Sequence, residues 1–354
     1  MSLRVPDLSE DFQLHNKSFR TYFNWIFLIV LFVLTGLAIF QDQDPAQVLH
    51  YLRTADPVYI IPAVVCVVLF ILGESVVIKQ LLHSLGTRIS FTHCSLYSFI
   101  GFFYSCITPS ASGGQPMQVI AMRKDKIPVA VSTVVLVIIA ITYKLVLVMV
   151  GLAVLLIRPQ EIMYYLEPVE GFMHLGLFLN VIVITGLILL VFHPGALRRI
   201  AENTIHFLHK IRPFRHPERI MDKLEQMAAQ YDGTAQFYRS RPGIIISVFL
   251  ITVVQRLLLF LVTWFAYRAF GLEGDRLVTI VTLQAMISVA VDMLPLPGGM
   301  GISENLFLTI FEPLFGAALV LPGMMICRGI SFYTQLLISA VMTAAASFII
   351  REKK

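Results

Sequence analysis

The chain has 354 residues, of which 57% are hydrophobic and only 14% are charged, and its mean hydropathy is +0.79. A soluble domain carries about 25% charged residues, so this composition excludes an ordinary soluble protein and indicates an integral membrane protein. The net charge of +5 does not indicate a nucleic-acid partner, because the cations fall in loops that flank apolar spans, where they orient a membrane protein.

The first half predicts three full spans and one broken hairpin. The spans run from about residue 22 to 40, from 58 to 82 and from 128 to 157, and each can cross about 30 Å of hydrocarbon. Residues 94–122 form an apolar run, a polar stretch and a return arm that is too short to cross the bilayer. The return arm ends in the cationic sequence 123–126, so a re-entrant hairpin that enters from the cytoplasm is the simplest interpretation.

The second half repeats this order with opposite polarity. Spans are predicted from about residue 172 to 192, from 243 to 270 and from 318 to 350, and residues 277–315 form a second broken hairpin that enters from outside. Residues 194–242 contain nine Lys or Arg against five Asp or Glu, which predicts a cytoplasmic segment. Its apolar spacing indicates two short amphipathic helices, either resting on the inner leaflet or forming a solvated connector.

The two halves, residues 1–157 and 158–354, therefore predict an inverted-topology repeat. The predicted fold is an all-α integral membrane protein with about six full transmembrane helices and two re-entrant broken hairpins. In a competing arrangement the arms of the hairpin at 277–315 cross the bilayer fully, and loop charge does not exclude it. Both termini are expected in the cytoplasm, with loops 41–57 and 158–171 outside.

The centres of the two hairpins are polar or broken where a membrane segment is normally apolar. The first broken loop is Thr108-Pro109-Ser110-Ala111-Ser112-Gly113-Gly114-Gln115-Pro116, and the second broken loop is Pro295-Leu296-Pro297-Gly298-Gly299-Met300-Gly301-Ile302-Ser303-Glu304. Non-helical backbone survives at membrane depth only when it is buried in protein or lines a wet cavity. Two such segments at corresponding positions of two halves therefore point to a transporter's binding site.

Together with Gln118, the two broken loops resemble the lysylphosphatidylglycerol synthase transmembrane family. This flippase-like domain occurs in the multiple peptide resistance factor and in stand-alone bacterial membrane proteins, and the resemblance spans nearly the whole chain. It implies translocation of a lipid, headgroup first, between the leaflets of a bacterial cytoplasmic membrane. In larger relatives a soluble aminoacyl-transferase domain follows; because this chain stops at Lys354, synthase activity is not implied.

Candidate substrate-binding residues are the loop positions and the two deepest arginines. Free amides, carbonyls and hydroxyls suit glycerol, sugar or phosphate oxygens, and guanidinium binds phosphate as a fork. The set is Thr108, Ser110, Ser112, Gly113, Gly114, Gln115, Gln118, Arg256, Pro297, Gly298, Gly299, Gly301, Glu304 and Arg328. Glu74 and Asp292 are candidate charge partners of the arginines or proton carriers, and Lys144 is expected to snorkel or to pair locally.

Each of these residues also has a structural interpretation, because glycines allow close helix packing and Arg–Glu pairs can hold a bundle together. The leading hypothesis is a transporter, not an enzyme, that flips a phospholipid or glycolipid. The alternatives are a membrane-embedded enzyme with Glu304 or Asp292 as a base, and a non-transporting scaffold for a cell-envelope synthase. The expected partners are membrane lipids, with a homo-oligomer as an open option. We expect no nucleic acid, no metal and no cofactor.

Overall fold

A computed structural model describes residues 45–192, 217–274 and 276–350. Every regular element in these ranges is a helix, so the protein is an all-α integral membrane protein, as the composition predicts. The predicted span at residues 22–40 lies outside the described residues, as does the first of the two predicted amphipathic helices.

The first half is built from long helices and one short return arm. Its elements are α1 (Pro45–Thr54), α2 (Pro57–Ser84), α3 (Phe91–Ile107), a 3-10 turn (Pro109–Ala111), α4 (Gly114–Lys124) and α5 (Val129–Ile157). The carboxylate of Asp56 caps α2 by accepting the Val58 amide at 2.9 Å. Arg158, with a left-handed φ of 47°, ends α5.

Among the described residues, the second half contains eight helices, against five in the first half. The elements of the second half are α6 (Gln160–Leu166), a 3-10 turn (Glu167–Val169), α7 (Glu170–Phe192), α8 (Pro217–Arg239), α9 (Pro242–Ala269), α10 (Leu277–Val291), a 3-10 turn (Pro297–Gly299), α11 (Ile302–Phe315), α12 (Val320–Arg328), a π-helical turn (Gly329–Thr334) and α13 (Gln335–Ile349).

Within the described residues, five helical stretches are long and apolar enough to cross a membrane. They are Pro57–Ser84, Val129–Ile157, Gln160–Val191, Pro242–Ala269 and Val320–Ile349. Each overlaps a span that the hydropathy pattern predicts. The hairpin arms are shorter, with 17 residues in α3, 11 in α4, 15 in α10 and 14 in α11. A crossing helix needs about 20 residues, so none of these arms has the usual transmembrane length.

The helices of the two halves pack against each other in a reciprocal way. Helix α2 packs along α9, which occupies the corresponding place in the second half. The first arm of the first hairpin, α3, packs against α13, and the first arm of the second hairpin, α10, packs against α5. The two 3-10 turns at the hairpin tips are in contact with each other. Each hairpin is therefore seated partly on a helix of the other half.

Helix α8 packs on this bundle, which its amphipathic periodicity alone does not indicate. Tyr231, Ala235 and Tyr238 are buried in the core that α8 shares with α5 and α9. The Tyr238 hydroxyl donates a hydrogen bond of 2.7 Å to the Leu81 carbonyl of α2. Burial raises the pKa of Tyr238 to about 12, so the phenol keeps its proton and remains a donor at neutral pH.

Candidate functional site

The first broken loop reverses the chain through two consecutive left-handed residues. Ser110 has φ of 50° and Ala111 has φ of 54°. The Thr108 hydroxyl donates to the Tyr104 carbonyl at 2.6 Å and accepts the Gly113 amide at 2.9 Å. Left-handed backbone costs an L-residue about 1–2 kcal/mol, so contacts around the loop must hold Ser110 and Ala111 in this conformation.

The second broken loop has the same backbone conformation with different residues. Gly298 has φ of 58° and Gly299 has φ of 66°, close to the values of Ser110 and Ala111. In both loops the left-handed pair follows a proline that is itself preceded by an extended residue. The two hairpin tips therefore share one turn geometry, for which glycine is free of strain and serine and alanine are not.

An arginine and a glutamate hold the second broken loop in shape. The Arg328 side chain donates from Nη2 to the Gly298 carbonyl at 2.9 Å and from Nε to Glu304 Oε1 at 2.7 Å. Glu304 Oε2 accepts the Gly301 amide at 2.7 Å. The π-helical turn after Arg328 places the Phe332 ring so close to Gly298 that a Cβ there would lie 2.2 Å from the ring. These contacts match the structural interpretation of the Arg–Glu pair.

The first broken loop is hydrogen-bonded to Leu294, the residue immediately before the second broken loop. Ser110 Oγ donates to the Leu294 carbonyl at 3.1 Å. Beside this contact, Lys144 Nζ on α5 forms an ion pair of 2.8 Å with Asp292 Oδ2 at the end of α10. The sequence offers Asp292 as a partner of an arginine, whereas the structure pairs it with Lys144, which lies 148 residues away in the chain. Both contacts connect the first half of the chain to the second hairpin.

A buried polar network surrounds Glu74. Glu74 is 6% exposed, and its carboxylate accepts hydrogen bonds from Gln118 Nε2 at 2.6 Å and from the Tyr143 hydroxyl at 3.0 Å. Gln255 Nε2 donates to the Tyr143 oxygen at 2.7 Å and to the Phe70 carbonyl at 2.6 Å. The network ties together α2, α4, α5 and α9. Gln118, a candidate for lipid binding, is therefore engaged with a carboxylate.

Arg256 borders this network without being hydrogen-bonded into it. Its guanidinium lies over the Tyr143 ring, 4.7 Å from the centroid, and it acts electrostatically on Glu74. Its Nε atom is buried and has no hydrogen-bond partner among the described residues. No described residue forms an ion pair or a hydrogen bond with its two terminal nitrogens. Arg256 therefore has unused donors, whereas Arg328 is bonded to the second broken loop.

Some of the remaining candidate residues are packed inside the protein, and the others are exposed. Gly114 packs against α3, where an added Cβ would lie 2.7 Å from the Gly101 carbonyl oxygen, so this glycine permits a close helix contact. Ser112 and Gln115 are exposed, and Gln115 Nε2 donates to the Leu136 carbonyl at 3.4 Å. Pro297 and Gly299 are buried in the second loop.

Tyr143 and Gln255 are central to the geometry but absent from the candidates drawn from the sequence. The sequence does carry a signal for both residues, because each is a polar residue within a long apolar helix. Each is also next to an ionisable residue, Tyr143 to Lys144 and Gln255 to Arg256. In the part of the chain that the structure describes, no group of three or more His, Cys, Asp or Glu side chains could hold a metal ion.

Fold and site together define a multi-pass, all-helical membrane protein in which two broken hairpins meet beside buried ionisable groups. A family model described as the lysylphosphatidylglycerol synthase TM region matches residues 24–339, so the chain belongs to that family. The family match confirms the resemblance carried by the two broken loops and associates the chain with membrane lipid metabolism or transport. A comparison with curated proteins found no match.

Proposed function

We propose that the protein moves an anionic phospholipid between the leaflets of a bacterial cytoplasmic membrane, and that Arg256 binds the phosphate of the headgroup. The observation that carries the proposal is the lack of hydrogen-bond partners at the Arg256 guanidinium. It lies in the interior of the 28-residue helix α9, yet its donors have no hydrogen-bond partner among the described residues. An ionisable residue inside a membrane is expensive, and one with unused donors suggests a ligand.

The surroundings of Arg256 suit a phosphate. The Arg256 guanidinium lies over the Tyr143 ring, 4.7 Å from its centroid, and a guanidinium can bind a phosphate as a fork. An anionic headgroup loses water when it enters the protein, and a fixed cation offsets that loss. Glu74, held by Gln118 and Tyr143, supplies the counter-charge when no lipid is bound.

We further propose that the chain crosses the membrane six times, with both hairpins re-entrant and both termini in the cytoplasm. Three observations support an inverted repeat at residues 1–157 and 158–354: the reciprocal packing of α3 on α13 and of α10 on α5, the shared turn geometry of the broken loops, and the shortness of the hairpin arms. Two halves of opposite orientation let one site open to either side in turn.

The geometry favours a transporter over a lipid-modifying enzyme. Glu304 accepts hydrogen bonds from Arg328 and from the Gly301 amide, and Asp292 is paired with Lys144. A general base needs a lone pair within reach of a substrate proton. Each of the two acids that the enzyme hypothesis offers as a base, Glu304 or Asp292, is therefore engaged in holding the second hairpin.

The experiment is a lipid-scrambling assay in proteoliposomes with headgroup-labelled phosphatidylglycerol, in which dithionite bleaches the label in the outer leaflet. We expect Arg256→Ala to slow translocation about tenfold or more, because a hydrogen bond to a charged group contributes about 1.5–3 kcal/mol. Arg256→Lys keeps the charge without the fork, so only partial rescue is expected. Arg268→Ala is the matched control: this arginine lies on the same helix, stacks on Tyr59 at 5.6 Å and donates to the Leu272 carbonyl.

Unchanged translocation by Arg256→Ala would show that this arginine does not bind the headgroup. Absence of translocation by the wild-type chain, with phosphatidylglycerol and with neutral phospholipids, would favour the scaffold hypothesis instead.

A further inference from the structure

A groove runs between the first hairpin and the last helix. It is lined by Ile100 and Tyr104 of α3, by Met117 and Ile120 of α4 and by Ala346 of α13. These side chains make its walls mainly apolar. Along α4 the groove extends from Met117 to the last turn of the helix, about 10 Å at 1.5 Å per residue. That length fits part of an acyl chain.

One end of the groove carries net positive charge. Lys124 lines the groove, and Arg123 and Lys126 are its neighbours in the sequence. The only acid in this short sequence is Asp125, which is engaged by His93 Nδ1 at 2.7 Å and by the Tyr97 hydroxyl. Among the described residues, no carboxylate pairs with the three cations.

Thr343 of α13 also lines the groove, but its Oγ1 atom is itself buried and is not accessible from the groove. Apolar walls with a cation at one end match two parts of an anionic phospholipid, the acyl chain and the phosphate.

We propose that this groove binds an anionic phospholipid from the leaflet that faces Lys124, with the acyl chain between α4 and α13 and the phosphate at Lys124. The basic cluster favours an anionic lipid over a second copy of this chain, whose corresponding surface carries the same cations. The groove runs along the return arm of the first hairpin, so it is placed to load lipid toward the first broken loop. The loading role rests on the proposed function, whereas lipid binding itself does not.

The test uses the full chain in phosphatidylcholine nanodiscs that contain phosphatidylglycerol with a diazirine in its acyl chain. After photolysis, mass spectrometry locates the labelled peptides. We expect labelling to concentrate on residues 117–124 of α4 and on residues 343–350, at the end of α13. A diazirine phosphatidylcholine at the same concentration is expected to label the groove no more than other lipid-facing helices.

Two substitutions, each with a control, distinguish lipid binding in the groove from attraction by general surface charge. Lys124→Gln is expected to reduce groove labelling about fivefold, the effect of one cation near an anionic lipid. Lys126→Gln removes the same charge outside the groove lining, and a smaller reduction is expected. Ile120→Trp fills the groove at a side chain that is 50% exposed and is expected to abolish the preference, whereas Val254→Trp, at a lipid-facing residue that is 58% exposed, leaves it intact.

Label spread evenly over lipid-facing helices, or equal losses for Lys124→Gln and Lys126→Gln, would overturn the inference. So would photocrosslinks between two copies through α13, which would show the groove to be a protein interface. The translocation assay on the same preparations separates the two proposals. A chain that translocates lipid without groove labelling refutes only this inference, and one that is labelled in the groove without translocating refutes only the proposed function.

Discussion

The hydroxyl of Ser110 donates a hydrogen bond of 3.1 Å to the main-chain carbonyl of Leu294, and so ties the tip of one broken hairpin to the other. Inside a bilayer, exposed carbonyls and amides must find partners within the protein. The Ser110 hydroxyl supplies such a partner to the second hairpin, in addition to the hydrogen bonds within each loop. The two hairpin tips therefore form one structural unit, and a substitution in either is expected to alter the stability of both.

Substitutions of Ser110 separate this tether from backbone strain. Ser110→Ala and Ser110→Gly both remove the hydroxyl, but only alanine keeps the cost of the left-handed φ of 50°. We expect Ser110→Gly to be more stable than Ser110→Ala by about 1 kcal/mol. The free energy of unfolding in detergent micelles, followed by tryptophan fluorescence, measures the difference.

Gly298→Ala is the matched change in the second loop. It adds the same left-handed strain and places a Cβ 2.2 Å from the Phe332 ring, so a larger loss of stability is expected than for Ser110→Gly. Equal stability of the two Ser110 variants would contradict the strain argument.

Arg328 is expected to stabilise the fold. Arg328→Met leaves the Glu304 carboxylate, which is 4% exposed as a whole residue, without its cationic partner. Removing one member of a buried pair costs about 3 kcal/mol or more in the free energy of unfolding. Chemical denaturation in micelles measures this loss.

A second substitution checks the cause. In the double variant Arg328→Met with Glu304→Gln, the amide oxygen still accepts the Gly301 amide and no charge is left buried, so most of the stability is expected to return. Arg256→Met serves as the comparison, because that guanidinium has no hydrogen bond among the described residues. An Arg328→Met chain as stable as the Arg256→Met chain would argue against the structural role.

The Lys144–Asp292 ion pair is expected to couple the first half to the second hairpin. At 2.8 Å and partly buried, the pair suits a double-mutant cycle with Lys144→Met and Asp292→Asn. We expect the double variant to lose less stability than the sum of the losses of the two single variants, with a coupling energy of about 1–3 kcal/mol. Additive effects of the two substitutions would show that the contact contributes nothing to stability.

Membrane topology can be tested at two exposed positions. In a background without the native cysteines, Tyr164→Cys in α6 and Ser240→Cys after α8 are expected to react with a membrane-impermeant maleimide from opposite sides of intact cells. Loop charge predicts this orientation, since cations are retained in the cytoplasm. Labelling of both cysteines from the same side would contradict the inverted repeat.

The class of fold and the positions at which its helices are broken can be predicted from the sequence alone. The predicted spans at 58–82 and 243–270 became α2 and α9 with ends shifted by a few residues at most. The two broken loops also fall where Pro and Gly interrupt apolar runs. These features are local: hydrophobic length decides whether a segment can cross a bilayer, and Pro and Gly act on their own backbone torsions.

Which polar groups contact each other depends on the tertiary structure. Asp292 forms an ion pair with Lys144 rather than with an arginine, and Glu304 forms one with Arg328. Glu74 is surrounded by residues from three other helices. Such pairs join residues far apart in the chain, and they depend on the depth and rotation of each helix against its neighbours. An apolar helix in lipid carries little periodic signal for its rotation, because both its lipid-facing and its buried sides are hydrophobic. The contrast between bonded Arg328 and unbonded Arg256 therefore emerges from packing.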